Sequence, residues 1–158
     1  MASHTIRKAV LSDLSQIQDL NHKLFESDVK HFNDLNTEWP YQNEGEEYFK
    51  KRINEKDGAC FVAEVDGQVV GYVAGGWSHL NFSAYKGKRA ELENIYVDVE
   101  YQRLGLGAAL VGKLYKWFKE QGATHIMVDT SVKNQNAISF YHNTGFEDYS
   151  NTLWRTIE

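Results

Sequence analysis

The chain has 158 residues, which is the usual size of one folded domain. Apolar residues make up 42% of it, enough for a hydrophobic core, and the formal net charge of −5 argues against non-specific binding to nucleic acid, which needs a basic surface. The N-terminal residues lack the pattern of a signal peptide, and no apolar run of about 18 residues is present to span a membrane. We therefore expect a single cytoplasmic domain over residues 1–158, with no nucleic-acid or membrane partner.

The first third of the chain predicts one strand and two helices. Residues 5–10 read as a strand, and apolar residues then recur at helical spacing from Leu14 to Leu24, with Ser12 placed to cap the start. Residues 31–45 are polar with aromatic insertions, which predicts a loop or mobile segment. A short second helix is expected over residues 46–55.

A hairpin and a strand with an irregularity follow. Two runs of alternating apolar residues flank Asp66-Gly67, a pair suited to the positive φ angles of a type I′ turn. Residues 89–99 predict a further strand, but Leu92 lies on the opposite face from the apolar residues after it. One extra residue near Glu93-Asn94 would restore the alternation, so we expect a β-bulge there.

The last third alternates helices and strands. Helices are expected at residues 107–121 and 136–144, and strands at residues 126–130, 146–149 and 152–157. This order predicts one α/β domain with a mixed sheet of six or seven strands, flanked by about four helices.

The loop between the strand at residues 89–99 and the next helix has the character of a phosphate site. Gly105 and Gly107 let an anion approach the backbone, and free amides and the helix dipole at a helix N-terminus favour negative charge. A dinucleotide fingerprint would need Gly or Ala where Leu110 stands, and a P-loop would need Gly-Lys-Ser/Thr, which the chain lacks. An ordinary helix start with incidental glycines is the remaining alternative.

Two motifs carry a family resemblance. The first is Gln102-x-x-Gly105-x-Gly107, and the second is the pattern N-x-x-A-x-x-F-Y-x-x-x-G-F, matched by Asn134, Ala137, Phe140, Tyr141, Gly145 and Phe146. Both occur in the order and the elements in which they stand in the GNAT superfamily of N-acetyltransferases, which the chain resembles over nearly its whole length. The resemblance implies a GNAT-like fold in which the central fourth and fifth strands splay apart.

The resemblance also implies acetyl-CoA as cosubstrate and no metal. The pyrophosphate would lie at the loop, and the pantetheine arm would lie along the fourth strand as an added strand. Asn134 would contact that arm, although a pure helix-capping role is an open alternative. The cofactor-binding residues implied are Ile95, Tyr96, Val97, Gln102, Arg103, Leu104, Gly105, Leu106, Gly107, Ala108 and Asn134.

Acetyl transfer to an amine needs a base for the amine and an acid for the departing thiolate. The resemblance assigns Tyr141 as the acid and Glu93 as the base, acting directly or through a water, with the Val97 N–H polarising the thioester carbonyl. The alternatives are that Tyr141 only packs on the sheet and that Glu93 is an ordinary surface carboxylate. Asp129, on the neighbouring strand, is the next carboxylate to consider.

The acceptor is expected to be a small cationic amine. Carboxylates and aromatic rings suit cations through ion pairing and cation–π contact, and both are frequent in the first two helices and the later loop. They are Asp28, Asp34, Glu38, Glu44, Glu46, Glu47, Trp39, Tyr41, Trp77, Phe82 and Tyr85. A protein N-terminus or lysine as acceptor, and a non-catalytic acyl-CoA-binding module, are alternatives, and a homodimer is left open.

Overall fold

The computed structural model describes residues 3–54 and 56–158. Its strands and helices follow in the order β1 (His4–Lys8), α1 (Leu14–Asp28), α2 (Asn43–Asn54), β2 (Gly58–Val65), β3 (Gln68–Trp77), β4 (Arg89–Val97), α3 (Leu106–Glu120), β5 (His125–Val128) and α4 (Gln135–Asn143). The strands form one sheet in the order β1-β2-β3-β4-β5. The first three pairings are antiparallel and the pairing of β4 with β5 is parallel, so the sheet is mixed, as predicted.

The two faces of the sheet carry separate hydrophobic cores. Helix α3 covers one face with residues three or four positions apart, among them Leu110, Leu114 and Phe118. Helices α1 and α2 cover the other face, where Ile17 and Phe49 are fully buried. Because both faces are covered, β2 and β3 are buried along most of their length.

The hairpin turn and the bulge are both confirmed. Asp66 and Gly67 have φ angles of 48° and 82°, as a type I′ turn requires. In the ladder between β3 and β4, Ala74 pairs with Asn94 while Gly75 pairs with Leu92, so Glu93 is the additional residue. The bulge allows Glu93 and Asn94 to point towards α2 together.

Several predicted boundaries shift. Ser12 does not cap α1, because it lies in a 3₁₀ turn at Leu11–Asp13, and the Asp13 carboxylate accepts the N–H of Val10 at 2.9 Å instead. The second helix begins earlier than expected, at Asn43, and Glu55, its expected last residue, lies outside the described residues. Residues 99–101 form a 3₁₀ turn rather than the end of β4.

The two closing strands predicted at residues 146–149 and 152–157 are not formed. Residues 146–158 have no strand assignment, and from Glu147 onwards every residue is exposed. The sheet therefore has five strands in the described part of the chain rather than six or seven. The physical reason is that a strand needs a partner for its backbone groups, and this segment pairs with no other strand in the part of the chain that the structure describes.

Candidate functional site

A slot opens between β4 and β5. Their ladder ends where Leu92 pairs with Val128, while β4 continues to Val97, so the splay expected of the central strands is present. The Asp98 N–H donates to the carbonyl of Val70 on β3 at 2.8 Å. Because backbone groups alternate in direction along a strand, those of Val97 and Ile95 point away from β3, into the slot. An extended ligand can therefore pair with β4 there.

Tyr96 is placed differently from its two neighbours. It pairs with Tyr72 on β3, and by the same alternation its backbone groups point towards β3 rather than into the slot. Its side chain packs against the core beneath α1 and α2. Of the three predicted pantetheine-binding residues, Ile95 and Val97 thus have the suitable backbone direction.

The loop after β4 ends in an exposed helix N-terminus. The first bond of α3 runs from the Ala109 N–H to the carbonyl of Gly105 at 3.0 Å, which leaves the N–H groups of Leu106, Gly107 and Ala108 without an acceptor inside the helix. The amide of Gln102 donates to the carbonyl of Val97 at 2.9 Å and so fastens the loop to the end of β4. These amides and the helix dipole make the mouth of the slot suitable for binding an anion.

The two glycines of this loop serve different purposes. Gly105 adopts a φ of +79°, a left-handed conformation that favours glycine, while a Cβ added there would meet nothing within 4 Å. A Cβ added to Gly107 would lie 3.1 Å from the ring of Phe140. Gly105 is therefore required by the backbone turn, and Gly107 by the close packing of α3 on α4. Arg103 also has a positive φ, of 65°.

Helix α4 positions Asn134 and Tyr141. The Asn134 side chain accepts the N–H of Ala137 at 3.1 Å, so its capping role is confirmed. The ring of Tyr141 packs edge-on against Phe140 and Phe146 beside the main core. Burial, reinforced by the charge of Asp28, raises the pKa of the Tyr141 hydroxyl well above its usual value, so this phenol stays protonated.

Glu93 is held by α2. Both of its oxygens accept from the Arg52 guanidinium, at 2.7 and 2.6 Å, and Oε2 also accepts from the Tyr48 hydroxyl at 2.6 Å. Tyr48 in turn accepts from the Asn94 amide at 2.9 Å. The Glu93 carboxylate is thus held in a fixed position by contacts from Arg52 and Tyr48 of α2. We call Arg52, Tyr48, Glu93 and Asn94 the α2 clasp.

Two glycines make space for the clasp. Gly58 of β2 pairs with Gly76 of β3, and the Arg52 side chain lies over this bare strip of the sheet. A Cβ on Gly76 would approach Nη2 of Arg52 to 2.6 Å and Oε1 of Glu93 to 3.0 Å. A larger residue at position 76 would therefore require the Arg52 side chain to move.

A second carboxylate on β4 lies near Glu93. Burial, together with the charges of Glu93 and Asp129, raises the pKa of Glu91, while the nearby His79 and Arg52 lower it. The His79 Nδ1 lies 4.0 Å from a Glu91 oxygen. Asp129 follows directly after β5 and is exposed. Glu91, Glu93 and Asp129 therefore form a group of acids on β4 and at the end of β5.

The expected aromatic pocket is only partly present. Trp39 stacks on Phe25 and packs against Phe49, and Trp77 packs on Phe118 of α3, so both tryptophans are structural. A depression of about 440 Å³ does lie beside the α2 clasp. Its lining mixes acidic and basic side chains with one phenol: Glu44, Glu47, Tyr48, Lys51, Arg52 and Asp57.

Neither a metal centre nor a membrane helix emerges from residues 3–54 and 56–158. No group of three or more His, Cys, Asp or Glu side chains within that part is arranged to hold a metal ion. None of the helices described there combines the length and the apolar character needed to cross a bilayer.

The arrangement of sheet, slot and loop is the one expected of an acyltransferase with acetyl-CoA as cosubstrate, and comparison with known proteins identifies the family. Residues 22–146 match the profile of the Acetyltransferase (GNAT) family, and the chain belongs to that family. An uncharacterized N-acetyltransferase of Methanocaldococcus jannaschii is 30% identical over 92% of this chain, which spans 62% of that relative's length. An N-alpha-acetyltransferase of Sulfurisphaera tokodaii is 33% identical over 92% of this chain and 81% of its own.

Solved structures of low sequence identity share the fold. The aminoglycoside N-acetyltransferase AAC(6')-Iy, solved in complex with CoA, superposes with a TM-score of 0.77 at 16% identity. The match covers 99% of this chain and 96% of that one. The likeness confirms the predicted GNAT-like architecture.

Sequence reasoning missed the structural partners of Glu93 and Tyr141, its two candidate catalytic residues. Tyr48 and Arg52 stand one helical turn apart on α2, a spacing that places them on one face but does not name their target. Asp28 was counted only among the acceptor-side acids, yet its charge acts on Tyr141. These contacts join distant parts of the chain, so no local sequence pattern predicts them.

Proposed function

We propose that the chain transfers the acetyl group of acetyl-CoA to a primary amine by direct attack of the amine on the thioester. The observation that carries this proposal is the slot beside β4, which ends at the free amides of α3 and has Glu93 near its bulge. The pyrophosphate would bind residues 103–108, and the pantetheine arm would pair with the backbone of Ile95 and Val97. The Val97 N–H would then polarise the thioester carbonyl.

Glu93 is proposed as a base that acts through a water. A carboxylate offers about four lone-pair positions, and the α2 clasp uses three of them, two on Oε2 and one on Oε1. The remaining position on Oε1 suffices for one water. A bridging water would let Glu93 receive the amine proton while Arg52 keeps the carboxylate oriented.

Tyr141 is proposed as the acid. Its raised pKa keeps the hydroxyl protonated, and a phenol can give its proton to the departing CoA thiolate. Glu93 then passes the proton taken from the amine to water, which balances the proton that Tyr141 gives to the sulfur. The amide and CoA leave as products, with the phenol reprotonated from water.

A small cationic amine is the proposed acceptor. Three carboxylates, Glu44, Glu47 and Asp57, line the depression beside the clasp, and they can pair with an ammonium group. A protein N-terminus is the second proposal, because relatives that the chain covers to 81% of their length are N-alpha-acetyltransferases.

Release of the CoA thiol distinguishes these acceptors. The purified chain and acetyl-CoA are incubated with one acceptor at a time. The acceptors are a polyamine, an aminoglycoside, a peptide with a free α-amine, and a lysine-containing version of that peptide whose N-terminus is acetylated. Turnover with the polyamine or the aminoglycoside, exceeding that with either peptide, supports a small-amine acceptor. Turnover with the free peptide alone favours the N-terminal proposal, and thiol release that no amine stimulates contradicts both.

A further inference from the structure

The connection between α1 and α2 is fastened to α1 at its far end. It comprises residues 29–42, and the Gln18 amide of α1 donates to the carbonyl of Pro40 at 2.7 Å. The Tyr41 hydroxyl donates to the Asp19 carboxylate of α1, also at 2.7 Å. These two contacts hold the last part of the connection, next to the start of α2.

The middle of the connection is held by a histidine of α1. Nδ1 of His22 lies 2.7 Å from the carbonyl oxygen of Thr37 and 3.5 Å from a carboxylate oxygen of Glu38. Nε2 lies 3.2 Å from a carboxylate oxygen of Glu26, one turn further along α1. The ring packs beside that of Tyr41 at a centroid distance of 5.5 Å, and the side chain is 22% exposed. We call His22, Glu26, Thr37 and Glu38 the His22 latch.

Both ring nitrogens of His22 face acceptors. A neutral imidazole carries one N–H, so one of its nitrogens would present a lone pair to an oxygen, whereas an imidazolium donates from both. The latch therefore fits the charged form of the ring. Its oxygens also raise the pKa of His22 above the ordinary value; the hydrogen bond to the Thr37 carbonyl is the largest cause, burial opposes it, and the charges of Glu26 and Glu38 add to it.

The charges around the latch are of one sign. Lys23, the neighbouring cation on α1, pairs with Asp98 after β4 at 2.5 Å. Within the described part of the chain, the charged side chains paired with the His22 ring are Glu26 from α1 and Glu38 from the connection. If the ring loses its proton, these carboxylates lose their counter-charge and one of the contacts of the ring becomes repulsive.

We propose that His22 is a pH-sensitive latch that holds residues 33–38 against α1 when protonated and releases them when its proton is lost. Histidine is the side chain whose charge ordinarily changes between about pH 5 and 8. The hydrogen bonds at Pro40 and Tyr41 do not involve His22, so the end of the connection stays fastened and the release is local. The inference goes beyond acetyl transfer and does not depend on the proposed acceptor.

NMR measures the protonation of His22 directly. Its ring Cε1–H signal is identified as the one missing from His22→Gln, and its titration midpoint should lie above the value of about 6.5 found in unstructured peptides. Glu26→Gln and Glu38→Gln should each lower the midpoint. His125→Gln, which removes an exposed histidine of β5, is the control and should leave it unchanged. A midpoint at or below that of a peptide, or one that neither glutamate substitution moves, overturns the proposal.

Amide hydrogen exchange at about pH 6 and about pH 9, corrected for the intrinsic effect of pH on exchange, measures the release. The Leu35 N–H, which donates to the carbonyl of Phe32, should lose protection by at least about tenfold at the higher pH, as expected when a hydrogen bond to a charged group is lost. The Glu46 N–H, which donates to the carbonyl of Gln42, should keep its protection. In His22→Gln, Leu35 should be poorly protected at both pH values. Equal protection of Leu35 at the two pH values in wild type, or the same pH-dependent loss in His22→Gln, shows that the proposal is wrong.

Discussion

The position of Glu93 depends on one extra residue in β4 and on one arginine from another element. The bulge turns Glu93 and Asn94 towards α2, and Arg52 reaches across paired glycines to hold both carboxylate oxygens. An ion pair of this geometry fixes the direction of the carboxylate. Glu93 can act in the reaction only through the remaining lone pair on Oε1. If that lone pair takes no part, Glu93 has a purely structural role.

A pH series tests the basic role of Glu93. Glu93→Gln retains the shape and removes the base, so kcat/KM should fall by about 100-fold at low pH and less at high pH, where more acceptor is already deprotonated. Gln42→Glu, a change outside the clasp, serves as the control and should leave the profile unchanged. If Glu93→Gln follows the wild-type profile throughout, Glu91 becomes the next carboxylate to test, since its pKa is raised and its oxygens are less occupied.

Tyr141 is tested by removing one oxygen atom. In Tyr141→Phe the ring that packs against Phe140 and Phe146 remains, but the proton for the thiolate is lost. We expect kcat to fall by about 100-fold, with acetyl-CoA affinity nearly unchanged. Tyr115→Phe is a matched control, because this tyrosine lies exposed on α3. An unchanged kcat in Tyr141→Phe would reduce the residue to a packing role.

At the scale of elements, the strand–loop–helix unit of β4 and α3 could be predicted in detail, because each of its features has a local cause. The interruption of the apolar alternation at Leu92 predicts the position of the bulge, and Gly105 predicts the turn into α3. The α2 clasp could not be predicted, since Arg52 and Glu93 are 41 positions apart. The closing strands at residues 146–149 and 152–157 were predicted wrongly. Alternating apolar residues indicate that a segment can form a strand, but they do not show which strand it would pair with.

The helix N-terminus of α3 gives a prediction about cosubstrate binding. Gly105→Asp adds a negative charge beside the amides proposed to bind the pyrophosphate, so acetyl-CoA affinity measured by calorimetry should fall by at least about tenfold. Gly105→Asn is the matched control, because asparagine tolerates the same positive φ without the charge. Equal affinity in the aspartate and asparagine variants would show that the pyrophosphate binds elsewhere.

At the scale of the whole molecule, the charge of the protein bears on which acceptors approach it. The net charge of −5 and the acids beside the α2 clasp favour the approach of cations. These acids lie on α2 or shortly after it, so they can be substituted without changing β4 or α3.

Ionic strength tests the attraction of a cationic acceptor. The screening length falls from about 10 Å at 0.1 M salt to about 3 Å at 1 M, so the KM of a multiply charged amine should rise several-fold over this range while kcat changes little. A monoamine provides the comparison, because its weaker attraction should give a shallower rise. Glu47→Gln, which removes one charge from the depression, should reduce the slope for the polyamine further. Equal slopes for the polyamine and the monoamine, in wild type and variant alike, would mean that the acceptor is not selected by its charge.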